Sequence, residues 1–265
     1  MSGFVDIHAH VLPGIDDGPP ELEQAVEMAR AAVESGITTI ASTPHLRSDF
    51  PDVHLHELAG RCDALREELD RAGIPLELGS GAEVSLTWAI DASEEELVLA
   101  SYGQRGKDLL IEPPWVHVAG VDRFLHALRA KGYRVTLAHP ERSHQFQGDL
   151  EAMRALVEQG VLLQVNAESL LEPGGRRGPS RLARALLGEG LVHAIASDGH
   201  RAASWRPVTR LAEAVDVTTE LIGPERAQWL AADAPRAIIG GAELPPAPPM
   251  TQQPRRRRLF GLRSR

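Results

Sequence analysis

Seven short runs of β-branched and aliphatic residues alternate with amphipathic stretches along this chain, and a residue able to bind a metal stands at or near the end of each run. The runs are FVDIHAH (4–10), TTIASTPH (38–45), PLELGSGAE (75–83), DLLIEP (108–113), RVTLAHPER (134–142), LLQVNAE (162–168) and VHAIASDGH (192–200). Strands that alternate with helices assemble as parallel sheets, because a parallel neighbour needs a crossover long enough to hold a helix. Seven such units suggest a closed or nearly closed barrel better than a small open sheet. The intervening stretches read as helices at 21–35, 55–72, 121–131, 149–159, 180–188, about 207–222 and 224–238. In the first of them Leu22, Ala25, Val26, Ala29 and Val33 recur at helical spacing before Gly36, and in the second Leu55, Leu58, Cys62, Leu65 and Leu69 do so before Gly73. In barrels of parallel strands the loops after the strand ends converge on one mouth. Residues nearly 200 positions apart are therefore expected to share a pocket.

The ligand-type residues are of a consistent kind. His8 and His10 form an H-x-H pair, and alternate positions of a strand share a face, so both imidazoles can grip one ion. The loop that follows, PGIDDGP, has turn chemistry and supplies Asp16 and Asp17. His45 stands in TPH, Glu83 in GAE, Glu112 in IEP, His139 in AHPER, and Asp198 and His200 in SDGH. Since one zinc ion takes about four ligands, this set exceeds a single ion and indicates two or three borderline-to-hard divalent metals such as Mn, Fe or Zn. Ions about 4 Å apart can generate a bridging hydroxide and clamp phosphoryl oxygens, chemistry that suits phosphoester hydrolysis. Arg142, three residues beyond His139, is placed to offer a guanidinium to a phosphate. Asp6 is read as a hydrogen-bonding support, Asp16 as a turn former, and Asn166 as either a pocket-orienting amide or a structural one. His54, His56, His117, His126, His144 and His193 lack motif context and are read as surface or core residues.

Composition narrows the classes further. The only cysteine, Cys62, excludes a disulfide framework and a thiolate zinc cage. It sits in a helical apolar stripe, where a buried small hydrophobe is expected rather than a nucleophile. Of the 28 cationic side chains six lie in the last 11 residues, leaving 22 against 37 carboxylates in the remainder, a balance that argues against nucleic-acid binding. Residues 1–240 are expected to form one domain. Beyond them, GGAELPPAPPMTQQP reads as an extended linker that buries nothing, and RRRRLFGLRSR as a basic tail, so that 241–265 is expected to be disordered. The tail is either simply solvated or attracted to an anionic membrane. No run of about 18 apolar residues is present and MSGFVDIHAH has no signal-peptide pattern, so a cytoplasmic protein is expected.

These motifs carry a family resemblance. DIHAHVLPGIDDGP, ASTPH, GAEV, AHPER, QVNAESL and SDGH, in this order over residues 4–240, resemble the PHP (polymerase and histidinol phosphatase) superfamily and, within it, the bacterial CpsB/YwqE-type protein-tyrosine phosphatases. The resemblance implies a distorted (β/α)7 barrel and a centre of three divalent ions, usually manganese, with Fe, Zn or Mg as other occupants. It implies that His8, His10, Glu83 and Asp198 hold one ion, that Glu112 and His139 hold a second bridged by Glu83, and that Asp17, His45 and His200 hold a third. It further implies catalytic roles for Arg142 and His139, and for an arginine after SDGH, with Arg206 preferred to Arg201. The implied substrate is phosphotyrosine on a membrane-associated tyrosine autokinase that controls capsule or exopolysaccharide synthesis. Two other readings of the motifs are a histidinol-phosphatase-like enzyme for small phosphate monoesters and an amidohydrolase-type metal hydrolase.

Overall fold

The computed structural model describes residues 3–172 and 178–251. Nine strands are present: β1 (Phe4–Ala9), β2 (Ile37–Ser42), β3 (His45–Leu46), β4 (Glu77–Ser80), β5 (Glu83–Ser85), β6 (Asp108–Glu112), β7 (Arg134–Ala138), β8 (Leu162–Asn166) and β9 (Ala194–Ala196). They form two sheets, β1-β2-β4 and β3-β5-β6-β7-β8-β9, in which every ladder is parallel. Two of the expected runs are each split in two. Between β2 and β3 stands Pro44, which has no N–H for a ladder. Between β4 and β5 stands Gly81, where a Cβ would lie 2.7 Å from the Tyr102 ring. The Tyr102 hydroxyl in turn donates to the Ile7 carbonyl at 2.7 Å, so the ring is fixed and only glycine fits against it.

The two sheets meet through β1. Beyond β9 the chain lies beside the end of β1, with His10 N–H donating to Gly199 O at 2.8 Å and Asp198 N–H to His8 O at 2.9 Å. This contact sets the first motif of the chain against the last. The β1 ladder slips by one residue between Asp6 and Ala9. Helices cover the strands, so strand bodies such as Leu109, Ile111, Val135, Leu137, Leu163 and Val165 are fully buried.

The helices include Leu22–Glu34, Leu58–Arg71, Val121–Ala130, Leu150–Glu158, Pro179–Gly188 and Arg210–Ile222, within a few residues of the expected ranges. Cys62 is buried on the inner stripe of Leu58–Arg71 with Leu58, Leu65 and Leu69, and burial pushes its thiol up to about 11, as an inert hydrophobe requires. The expected helix 224–238 is interrupted: Pro224–Gln228 leads into a π-helical turn, Trp229–Asp233, and then Ala234–Gly240. Pro235 lacks the N–H that would continue an α-helical ladder through this point. From the last segment Ile238 joins Val5, Ile7, Leu110, Ala194 and Ala196 in one apolar cluster. A short helix missed in the sequence, Glu94–Ala100, carries a capping box between Ser93 and Glu96.

The expectation that the Pro-rich segment buries nothing is corrected for residues 241–251. This stretch has no regular structure, but two side chains and one backbone carbonyl of the body hydrogen-bond to its backbone. Trp229 Nε1–H donates to Pro245 O at 3.0 Å, Arg134 Nη1–H to Ala242 O at 2.6 Å, and Thr251 N–H to Ile222 O at 2.9 Å. Leu244 packs on the apolar core. Composition alone does not reveal such partners, because they are supplied by distant residues. The basic tail, Arg255–Arg265, lies outside the described residues.

Candidate metal centre

The strand ends bring all nine expected ligand residues together, and most of them are buried. The histidines come from β1 (His8) and the position just past its end (His10), β3, the loop after β7 and the SDGH turn; the carboxylates come from the loop after β1, β5, β6 and the SDGH turn. Backbone strain concentrates here. Of five non-glycine residues with positive φ among those described, three are His139 (29°), Asp198 (50°) and Arg206 (50°).

Glu83 is the hub. Its Oε2 lies 3.5 Å from both His8 Nε2 and His10 Nε2 and 2.6 Å from His45 Nδ1, while Oε1 lies 2.8 Å from His139 Nε2. Asp198 Oδ1 is 3.6 Å from His8 Nε2 and 3.5 Å from His10 Nε2. Asp17 Oδ1 lies 3.3 Å from His45 Nε2 and 3.1 Å from His200 Nε2. Four groups can each surround one ion: His10, Asp17, His45 and His200; His8, His10 and Asp198; His8, Glu83 and His139; and His45, Glu83 and Glu112. The partition is looser than the resemblance implies, because His8, His10 and His45 each fall in two groups. Among the described residues no His, Cys, Asp or Glu outside the nine enters such a group.

Hydrogen bonds orient the imidazoles. His10 Nδ1–H donates to Asp16 Oδ2 at 2.8 Å, and His200 Nδ1–H to the Asp198 carbonyl at 2.8 Å, so in both rings Nε2 keeps its lone pair. Asp16 is thus more than a turn former: it accepts from Gly18 N–H at 2.9 Å as a turn requires, and its other oxygen fixes His10 and accepts from His45 N–H at 3.2 Å. Asp6 accepts from Ser197 N–H and from its hydroxyl, joining β1 to β9 as a support outside the ligand set. Asn166 Nδ2–H donates to Asp198 Oδ2 at 2.6 Å, which favours the pocket-orienting reading of that residue.

The donor set fits divalent metals. His8 Nε2, His10 Nε2 and Asp198 Oδ1 are buried polar atoms without a hydrogen-bond partner, and all belong to the expected ligands. Such atoms cost free energy unless a cation meets them. The electrostatics agree. Burial opposes a charge on Glu83, but His8, His45 and hydrogen bonds from His139 and His45 outweigh it and hold the carboxyl well below its usual range. Burial also opposes a proton on His45, yet Glu83 and Asp17 drive it up to about 10, so that one imidazolium answers two carboxylates. Burial and the Glu83 charge push Glu112 up to about 7, and burial brings His139 down to about 3. Burial keeps His10 and His139 neutral and Glu83 stays ionised, as ligation requires, whereas the proton on His45 is one that a bound metal would displace.

Above the cluster lies a pocket of about 130 Å³ lined by cations as well as ligands, among them Arg47, Arg142 and Arg206. Arg142 Nη1–H donates to Asp198 Oδ2 at 2.9 Å, and Arg206 reaches the same oxygen. Arg201 instead donates to the carbonyls of Asp17 and His200, so the geometry selects Arg206 as the pocket arginine after SDGH. The Arg142 guanidinium packs 5.6 Å from the centre of the Trp115 ring, itself a half-exposed pocket wall. Arg47 was not anticipated. Its Nη1 lies 3.3 and 3.2 Å from the two oxygens of Glu112, and its position two residues after His45 on one extended run was the available signal. Gln164 was also missed, although a polar residue within the aliphatic run LLQVN marks it.

A fold of parallel strands with nine His, Asp and Glu side chains gathered at their ends, beneath a cationic pocket, defines the class: an α/β protein with side-chain clusters able to bind metal. The chain belongs to the capsular polysaccharide synthesis CpsB/CapC family, whose model matches residues 4–240. It is 31% identical over 259 residues to the tyrosine-protein phosphatase YwqE of Bacillus subtilis (strain 168), covering 97% of this chain and 99% of that protein. To the tyrosine-protein phosphatase CpsB of Streptococcus pneumoniae it is 27% identical over 242 residues, covering 89% and 98%. Among solved structures, one from the work on YwqE of B. subtilis and CpsB of S. pneumoniae, described there as unique metal-dependent tyrosine phosphatases, superposes with a TM-score of 0.80 at 30% identity. That match covers 94% of this chain and all of the other. An organophosphorus hydrolase from Deinococcus radiodurans, at 16% identity and a TM-score of 0.53, shares the fold alone.

Proposed function

We propose that this protein is a metal-dependent phosphoric monoester hydrolase that removes phosphate from phosphotyrosine in proteins. The observation that carries the reading is the gathering of nine ligand-type side chains, three of their buried atoms unpartnered, beside a pocket holding Arg142 and Arg206. His8, His10, Glu83 and Asp198 would hold one ion, Glu112 and His139 a second bridged by Glu83, and Asp17, His45 and His200 a third. Three manganese ions per chain are proposed, with Fe, Zn or Mg as other occupants of the same donor set. When bound, such ions neutralise phosphoryl oxygens and acidify water enough to supply the nucleophile.

The chain's own residues do the rest. Arg142 and Arg206, now turned to Asp198, would present planar donors to the non-bridging phosphoryl oxygens and stabilise the charge on them in the transition state. Trp115, backed by Arg142, offers an apolar face for the aromatic ring of the ester. Tyrosinate, with an ordinary pKa of about 10, leaves with little help from a general acid. Cys62, buried and away from the pocket, takes no part.

The seven runs are read as a distorted (β/α)7 barrel: β2 with β3 and β4 with β5 make single split strands, and the contact between Ala9 and Gly199 closes the ring. Residues 1–240 form the catalytic domain. The family description supports a place in capsule synthesis, and the phosphorylated partner is proposed to be a membrane-associated tyrosine autokinase that controls capsule or exopolysaccharide synthesis. No helix among the described residues is long and apolar enough to cross a membrane. The protein is proposed to be cytoplasmic, its Arg-rich tail drawing it to the anionic inner membrane face. Equal sedimentation with anionic vesicles by the full chain and by a chain ending at Thr251 would remove that role; the cut spares the packed residues 241–251.

Substrate preference separates this reading from a small-molecule phosphatase. A phosphotyrosyl peptide is expected to be hydrolysed with a kcat/KM at least about tenfold above that for histidinol phosphate, since the aromatic ring adds about 1.4 kcal/mol or more of contact. The reverse order would replace the protein substrate by a small monoester.

A further inference from the structure

We propose that Gln164 is a positioning residue: it sets the tautomer of His8 and, through Asn166, the orientation of Asp198, so that the ligands are arranged before a metal arrives. The inference rests on the metal-centre reading but not on the identity of the substrate.

The assignment of each proton follows from one donor that has no alternative. The backbone N–H of His139 points at the end of the Gln164 side chain, 3.3 Å from the atom placed as Oε1. A backbone N–H cannot accept a hydrogen bond, so the atom facing it is the amide oxygen and the other is the amide nitrogen. The same oxygen lies 3.1 Å from His8 Nδ1. An oxygen without a proton can only accept, so His8 Nδ1 carries the hydrogen, and in the neutral ring Nε2 is left with its lone pair. That Nε2 is the buried, unpartnered atom facing Glu83 and Asp198.

The other half of the amide continues the chain of constraints. Gln164 Nε2–H donates to Asn166 Oδ1 at 2.9 Å, which fixes the Asn166 amide in turn. Its Nδ2–H then donates to Asp198 Oδ2 at 2.6 Å, leaving Oδ1 to face the His8 and His10 imidazoles. The Asn166 backbone is also held, its N–H donating to Glu141 Oε1 at 2.9 Å. Gln164 and Asn166 are completely buried on β8, where alternate residues share a face, and together they tie ligands from β1, the turn after β7 and the turn after β9 to one strand. Outer partners of this kind make the lone pair available and remove the cost of ordering the ring on binding.

The test uses the metal-free chain and Mn²⁺ alone. Long-range ¹H–¹⁵N spectra of the imidazoles at about pH 8, where an ordinary histidine is neutral, are expected to show His8 as the Nδ1–H tautomer. Gln164→Glu keeps the acceptor and is expected to keep that tautomer, whereas Gln164→Leu removes the acceptor and is expected to lose it. Calorimetry is expected to show Mn²⁺ binding weakened about 10- to 100-fold in Gln164→Leu. The Nε2–H tautomer in the unsubstituted protein, or unchanged Mn²⁺ affinity in a folded Gln164→Leu variant, would overturn the proposal. Should the leucine variant fail to fold, the tautomer in the unsubstituted protein and in Gln164→Glu still decides, Nε2–H in either one overturning it. Neither readout involves a phosphate ester, so a failure of the phosphatase reading would show itself separately.

Discussion

Glu83→Gln is expected to abolish hydrolysis, with a fall in kcat/KM of at least about 10³-fold, and to empty the centre of metal. The contacts of Glu83 with other ligand side chains include the two shortest of their kind in the site. One oxygen of Glu83 faces His8, His10 and His45, and the other meets His139. Glutamine preserves the shape and can still accept on one side, but it removes the charge and turns the second position into an NH₂ that cannot bind a cation. The loss should extend beyond one ion, because Glu83 belongs both to the group with His8 and His139 and to the group with His45 and Glu112. His45 supplies an independent readout. The Glu83 charge is the main influence holding its proton against burial, so in the metal-free variant its pKa is expected to fall from about 10 towards the ordinary histidine range. Metal content by mass spectrometry, a phosphatase assay and an NMR titration of His45 measure the three effects. A variant that keeps its metal and its rate would show that the cluster is not organised around Glu83.

The second large effect is expected at the two arginines. Arg142→Lys and Arg206→Lys should each lower kcat by about 10²- to 10³-fold, the scale of removing one preorganised donor from a developing anion, while metal content stays unchanged. Lysine keeps the charge but loses the planar fork that matches two phosphoryl oxygens. Arg206 is the more buried of the pair, and burial together with the Arg142 charge brings its guanidinium down to about 10, so a neighbouring anion gains more from it than from a solvated arginine. The losses should not add in the double variant, because both guanidiniums converge on Asp198 Oδ2 and act on one group. Steady-state kinetics on a phosphotyrosyl peptide check this; a rise in KM with kcat intact would make the arginines binding groups only.

The site was legible in the sequence to an unusual depth, and the reason is topological. Parallel strands place their C-terminal ends on one side, so the position of His45, Glu83, Glu112 and Asp198 relative to their strands was enough to predict convergence. What the sequence did not disclose depends on which atom faces which. The sharing of His8, His10 and His45 between groups depends on side-chain directions that sequence spacing does not set. The grip of Asp16 on His10, and of Arg47 on Glu112, are contacts between residues that no periodicity links. Gln164 reads as an oddity in an aliphatic strand until His139 is seen to donate to it. The Pro-rich segment 241–251 was misread for the same reason: its composition is that of a linker, and only the reach of Trp229, Arg134 and Ile222 shows that it is bound.

Phosphate release from a phosphotyrosyl peptide, followed while metal is stripped with a chelator and then restored one divalent ion at a time, tests the central claim most directly. The account predicts that the stripped protein stays folded but inactive, that Mn²⁺ restores the rate, and that His139→Ala and Glu83→Gln are not rescued by it. Full activity of the stripped protein, or of His139→Ala, would contradict a metal centre built from these nine residues.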